Sequence, residues 1–90
     1  MAARPPDQHA LLRALGNVVV RERTIRHISQ HDIESATGLS EQYIRKIESG
    51  QANPSYLALA AIATALGLDL VTLVGFALAG TEPITRFHEE

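Results

Sequence analysis

The residues from 28 to 50, I-S-Q-H-D-I-E-S-A-T-G-L-S-E-Q-Y-I-R-K-I-E-S-G, constrain this chain most, because they spell a helix start twice, eleven residues apart. Ser29 follows Ile28 and stands four positions before Ile33; Ser40 follows Leu39 and stands four positions before Ile44. A serine hydroxyl there accepts a hydrogen bond from one of the N–H groups that a helix start leaves without an intrahelical partner. The flanking apolar pair closes over it as a staple. Gly38 lies between the two starts, where a left-handed residue ends one helix and turns the chain, and Gly50 can end the second helix likewise. The stretch predicts two short helices joined by a tight turn, a helix-turn-helix.

The flanks predict three further helices and no strand, hence an all-α, five-helix fold. Pro5-Pro6 blocks helix, so residues 1–6 are expected to be a disordered arm, with the folded domain over 7–80 and a tail over 81–90. Asp7 suits an N-cap for a first helix running to about Arg26. Its apolar stripe is Leu11, Leu12, Leu15, Val18, Val19 and Ile25, and the Val18-Val19-Val20 run belongs to that pattern despite its local strand preference. Helix two (30–37) turns Ile33 and Ala36 inward; helix three (41–49) turns Ile44 and Ile47 inward and Glu41, Gln42, Arg45 and Lys46 outward. Asn53 is expected to cap helix four, with Pro54 at its first position and Tyr56, Leu59, Ile62, Ala63 and Leu66 on its inner face, and Gly67 ends it. Asp69 caps helix five (70–79), whose core positions are Leu70, Leu73, Val74 and Ala77.

With 46% hydrophobic residues among 90, one core needs no covalent staple. No cysteine is present, which excludes disulfides and thiolate metal sites and fits a reducing compartment. The first residues lack the apolar run of a secretion signal. The nearly uncharged run 54–80 is broken by Asp69 and by glycines, so a membrane span is not expected and the reading is cytoplasmic. The net charge of −2 does not by itself indicate a nucleic-acid partner. Its distribution says more: residues 1–26 hold five arginines against Asp7 and Glu22, whereas 27–50 hold Arg45 and Lys46 against four acids. Positive charge is thus expected on the first helix and the second half of the third.

Leu15-Gly16, Val19, Arg23, Ile28-Ser29-Gln30, Ile33, Gly38-Leu39-Ser40, Tyr43-Ile44, Ile47-Glu48, Gly50, Asn53-Pro54 and Ala65-Leu66-Gly67 stand in an order and spacing that resembles the lambda-repressor-like (Cro/CI, Xre) helix-turn-helix family. The resemblance covers about residues 15–74. It implies a DNA-binding domain whose third helix enters the major groove, and from it follow site residues. Glu41, Gln42, Lys46 and Arg45 fall on base-facing positions. Chemically, Gln42 suits adenine, Lys46 guanine and Glu41 the amino group of cytosine. Gln30 matches a phosphate-clamping glutamine at a helix start, and Tyr43, Ser49, Gln51 and Asn53 are candidates for backbone contacts, alongside ordinary capping and turn roles. Arg23 and Glu48 match a structural salt bridge between helices one and three. One departure is His27, where the family usually has glycine, which predicts a strained end to helix one.

No cofactor is implied. His27, His31 and Glu34 are close in sequence, but a helix boundary separates the histidines and no H-E-x-x-H pattern exists, so no metal site is assigned. No nucleophile–base pair or glycine-rich phosphate loop appears, and enzymatic function is not expected. Leu57, Val71, Phe76 and Leu78, with Val18 and Val20, exceed what the minimal core needs. Such a surplus either thickens the core under the longer first helix and the tail or, where it is exposed, marks an interface; the expectation is a homodimer through helix five and the tail residues Ile84 and Phe87. The functional expectation is a dimeric, sequence-specific regulator of transcription, a repressor, bound to double-stranded DNA, with no room for a ligand-sensing domain in 90 residues. The alternative is a protein-interaction module, such as an antitoxin held on a protein partner.

Overall fold

The computed structural model describes residues 7–80; the expected arm, and the tail with Ile84 and Phe87, lie outside the described residues. Five helices follow in order: α1 (Gln8–Ile25), α2 (Gln30–Thr37), α3 (Glu41–Glu48), α4 (Tyr56–Ala65) and α5 (Leu70–Ala79). No strand occurs among the described residues, and Val18-Val19-Val20 lies inside α1. The helix starts are made by side chains. Asp7, Ser29, Ser40, Ser55 and Asp69 each accept from the backbone N–H three residues on. At α2 the cap is reciprocal, because Asp32 also accepts from the Ser29 N–H at 2.8 Å.

The helix ends follow from the left-handed residues. Gly38 (φ 81°) turns the chain from α2 into α3, and Thr37 stitches the turn: its hydroxyl donates to the Ile33 carbonyl and accepts from the Leu39 N–H. After α1, His27 takes the same left-handed conformation with φ 58°. The N–H of His27 reaches the Thr24 carbonyl and that of Ile28 the Arg23 carbonyl, which is the double closure of a Schellman turn built on a residue with a Cβ.

The core is shared by all five helices. Leu15, Val18 and Val19 come from α1, Ile33 from α2, Ile44 and Ile47 from α3, Ile62, Ala63 and Leu66 from the α4 region, and Leu73 and Ala77 from α5. α1 packs on α5 and α3, and α2 packs on α3 and α4, so the helix-turn-helix is held from both sides. Gly16 sets the closest approach: a Cβ there would stand 2.6 Å from the Ile47 carbonyl oxygen, so only glycine lets α1 meet the end of α3.

Four expectations need correction. Helix four does not begin at Asn53-Pro54; those residues lie outside the helix with Pro54 buried, and Ser55 is the cap. Tyr56, the first residue of that helix, is 71% exposed and not packed in the core. Ile25 is likewise exposed, because the helix ends immediately after it. Ala36 also faces out, leaving Ile33 as the one buried residue of α2.

No single helix among the described residues is long and apolar enough to cross a membrane. The two most apolar, α4 and α5, are bent by 99° across a short break.

Candidate nucleic-acid interface

α3 is polar on one side and anchored on the other. Ile44 and Ile47 are fully buried, which leaves Gln42, Arg45 and Lys46 on the solvent face. Its orientation is fixed at the far end by Glu48. The carboxylate of Glu48 accepts from Arg23 Nε at 2.6 Å and Arg23 Nη2 at 3.0 Å, a fork that ties α1 to α3. It also accepts from Gln30 Nε2 at 2.8 Å, so α2 is tied to the same point. Arg23 further donates from Nη1 to the Ile28 carbonyl, holding the α1–α2 turn. The Glu48 hydrogen bonds, against the opposing effect of burial, raise the Arg23 pKa above its already high ordinary value.

This network changes the standing of Gln30. Its amide nitrogen is bound to Glu48 and its oxygen accepts from Arg45 Nη1 at 3.4 Å, so only part of its donor capacity faces outward. Arg45 also lies 3.6 Å from Glu41 Oε1. The other oxygen of Glu41 is 3.0 Å from His31 Nδ1. Glu41 and Arg45 are therefore engaged with each other and with α2. Gln42 and Lys46 carry no such partner among the described residues.

The remaining candidates divide by position. Tyr43 is half-buried and packs against the core. Ser49 forms the end of α3 and donates its hydroxyl proton to the Lys46 carbonyl at 3.2 Å. Gln51 is exposed in the following loop, its N–H closing onto the Lys46 carbonyl at 2.8 Å. Asn53 is exposed beside an apolar groove of about 300 Å³ between α1, α4 and α5.

The arginines of the first helix do not form the basic surface that their number suggested. Arg21 and Arg26 both bind the buried Glu22, at 2.8 and 2.6 Å, and Arg21 also lies 5.1 Å from the centre of the Phe76 ring. The hydrogen bond from Arg26, opposed by burial and aided by Arg21, lowers the Glu22 pKa below its ordinary value. With Arg23 bound to Glu48, Arg13 is the α1 arginine without an ion pair among the described residues. Arg13 packs beside Gly50, next to Ser49 and Gln51. Sequence reasoning missed it because only the fold brings the middle of α1 to the α3–α4 loop.

Comparison with known proteins fits this arrangement. The helix-turn-helix family model matches residues 20–73, more than half of the chain, with the α2–α3 unit inside the match. The chain belongs to the Xre/Cro-like helix-turn-helix family. Within that family it is similar to the uncharacterized HTH-type transcriptional regulator y4dJ of Sinorhizobium fredii, 34% identical over 62 residues, covering 69% of this chain and 80% of that protein. The ImmF control region 10 kDa protein of Bacillus phage phi105 is 34% identical over 61 residues, 68% of each chain. Among solved structures, the restriction-modification controller protein C.AhdI of Aeromonas hydrophila superposes with a TM-score of 0.67 at 31% identity, over 69% of this helix-turn-helix chain and 94% of its own.

Proposed function

We propose that this chain is a sequence-specific transcriptional regulator that places the outer face of α3 in the major groove of double-stranded DNA and acts as a dimer, most simply as a repressor. The observation that carries the reading is the pair Gln42 and Lys46, free polar side chains on a short helix whose orientation is locked by Glu48, Arg23 and Gln30. Gln42 matches adenine through its amide, and Lys46 donates to guanine. Glu41 and Arg45 enter base contacts only by leaving His31 and each other, which makes them secondary readers. Arg13, Ser49, Gln51 and the free part of Gln30 are suited to backbone phosphates around α3, with Tyr43 and Asn53 at the margins.

Dimerisation is supported by the apolar side chains that α5 leaves uncovered, notably Val71 at 81% and Phe76 at 39% exposure, together with Leu57 on α4. Two copies present two recognition helices to half-sites about one helical turn, 34 Å, apart. The same face supports the second reading, a module that docks on a protein partner.

Selection from random duplex DNA followed by gel shifts tests the proposal. Gln42→Ala is expected to relax preference at one base position, costing about 1–3 kcal/mol on the preferred site. Arg13→Ala is expected to weaken all sequences alike and to reduce the salt slope by about 1. Selection without enrichment of any site would reject the reading.

A further inference from the structure

α2 and α3 also bring together three ligating side chains apart from the Gln42 and Lys46 pair. His31 and Glu34 lie one turn apart on α2, and the turn at Gly38 carries Glu41, the first residue of α3, beside them. His31 Nδ1 is 3.0 Å from Glu41 Oε2 and 3.7 Å from Glu34 Oε1. One ligand atom from each of the three lies within 4.8 Å of the other two.

We propose that His31, Glu34 and Glu41 form a divalent-cation site, of the type that zinc occupies, which clips the start of α3 to α2. One imidazole nitrogen and two carboxylate oxygens are a ligand set that zinc accepts, with water completing the coordination. Bond lengths of about 2.0–2.2 Å place neighbouring ligand atoms roughly 3–3.6 Å apart, and the two distances from His31 already lie close to that range. The remaining adjustment falls on Glu34, a flexible and partly exposed side chain. The cation takes the place of the direct contact between Nδ1 and Oε2 of Glu41.

The surroundings favour this use of the three groups. Arg45 approaches Oε1 of Glu41, leaving Oε2 for the metal while orienting the carboxylate. Asp32, the other acid of α2, is tied to Ser29 by the capping box and does not compete. Ile33 and Ile44 are fully buried, so the two helices hold the donors at a fixed separation. Sequence reasoning considered His27, His31 and Glu34. His27 instead terminates α1, and the third ligand comes from the next helix.

Binding would have a consequence for DNA, a step that rests on the reading above. Glu34 and Glu41 together place two negative charges at the edge of the proposed DNA-facing surface, and one divalent cation cancels them. Metal would then tighten DNA binding and also remove Glu41 from competition as a base reader.

Calorimetric titration of the full chain with zinc chloride tests the site directly, and the absence of cysteine removes thiolate background. One ion per chain is expected, with affinity at least about tenfold weaker in His31→Ala and in Glu41→Gln, and unchanged in His9→Ala. Circular dichroism on the same samples verifies that the variants remain folded. No saturable binding, or binding that survives both ligand substitutions, would overturn the site. In gel shifts, zinc is expected to tighten wild-type binding about tenfold, as two carboxylate charges near phosphates are neutralised across a partly screened surface. It is expected to leave His31→Ala unaffected. Zinc binding without that gain would overturn the coupling, whereas failure to bind DNA with or without zinc would instead reject the regulator reading.

Discussion

Replacing Arg23 by methionine removes the link on which the orientation of α3 depends. The side chain of Glu48 is only 7% exposed and that of Arg23 20%, so water does not replace the lost partner at the carboxylate. Two charge-assisted hydrogen bonds disappear, at 2.6 and 3.0 Å, and Gln30 alone remains on Glu48. A hydrogen bond to a charged group contributes roughly 1.5–3 kcal/mol, and breaking a buried pair costs about 3–5 kcal/mol. The partial exposure of the guanidinium places this case near the lower end, about 3 kcal/mol. A domain of this size is stable by only about 5–13 kcal/mol, so the loss is large, equivalent to a fall in Tm of roughly 12–24 °C. Equilibrium urea unfolding measures it, and the cycle completed with Glu48→Met and the double variant isolates the pair. The double variant is expected to recover most of the loss, because no charge is left without its partner. A cost below about 1 kcal/mol for Arg23→Met, or simple additivity in the cycle, would refute the argument.

Gly16→Ala is expected to destabilise by about 1–3 kcal/mol or more, because its Cβ would fall 2.6 Å from the Ile47 carbonyl oxygen and force α1 off α3; thermal unfolding reports it. His27→Gly should act oppositely, relieving a left-handed conformation at φ 58° and stabilising by roughly 1 kcal/mol in the same assay. Acid unfolding should follow the carboxylates whose pKa values folding lowers: Glu22 through Arg26, Asp32 through the Ser29 N–H, and Asp69 through Thr72. Because these folded values lie below the unfolded ones, their contribution is complete above the ordinary glutamate value of 4.5 and is lost as pH falls through the depressed values. Circular dichroism is expected to show a flat stability from neutral pH down to that point and a decline below it, reduced in Asp69→Asn.

The helix-turn-helix was legible in the sequence because its signals are local. Ser29, Ser40 and Gly38 act within a few residues of themselves, so spacing alone places two helices and a turn. The start of α4 misled because Asn53-Pro54 and Ser55 both qualify as starts, and the burial of Pro54 decides between them. Tyr56, the first residue of α4, shares the face of Leu59 and Ala63 but lies exposed at the helix end. The partners of Gln30 and Glu41 were hidden for a different reason. Glu48 is eighteen residues from Gln30, and Glu41 ten from His31, so these contacts depend on the angle between α2 and α3. The arginines of α1 illustrate the limit of charge counting, since Glu22 and Glu48 engage most of them internally.

The proposed regulator meets DNA through the outer face of α3. Amide chemical-shift mapping of the 15N-labelled chain against a duplex selected from random sequence tests it most directly. The largest changes are expected at Gln42, Lys46 and the Gly50-Gln51 loop, with Arg13 and the start of α2 following. Changes concentrated on α5 and the groove between α1, α4 and α5, with α3 silent, would contradict it.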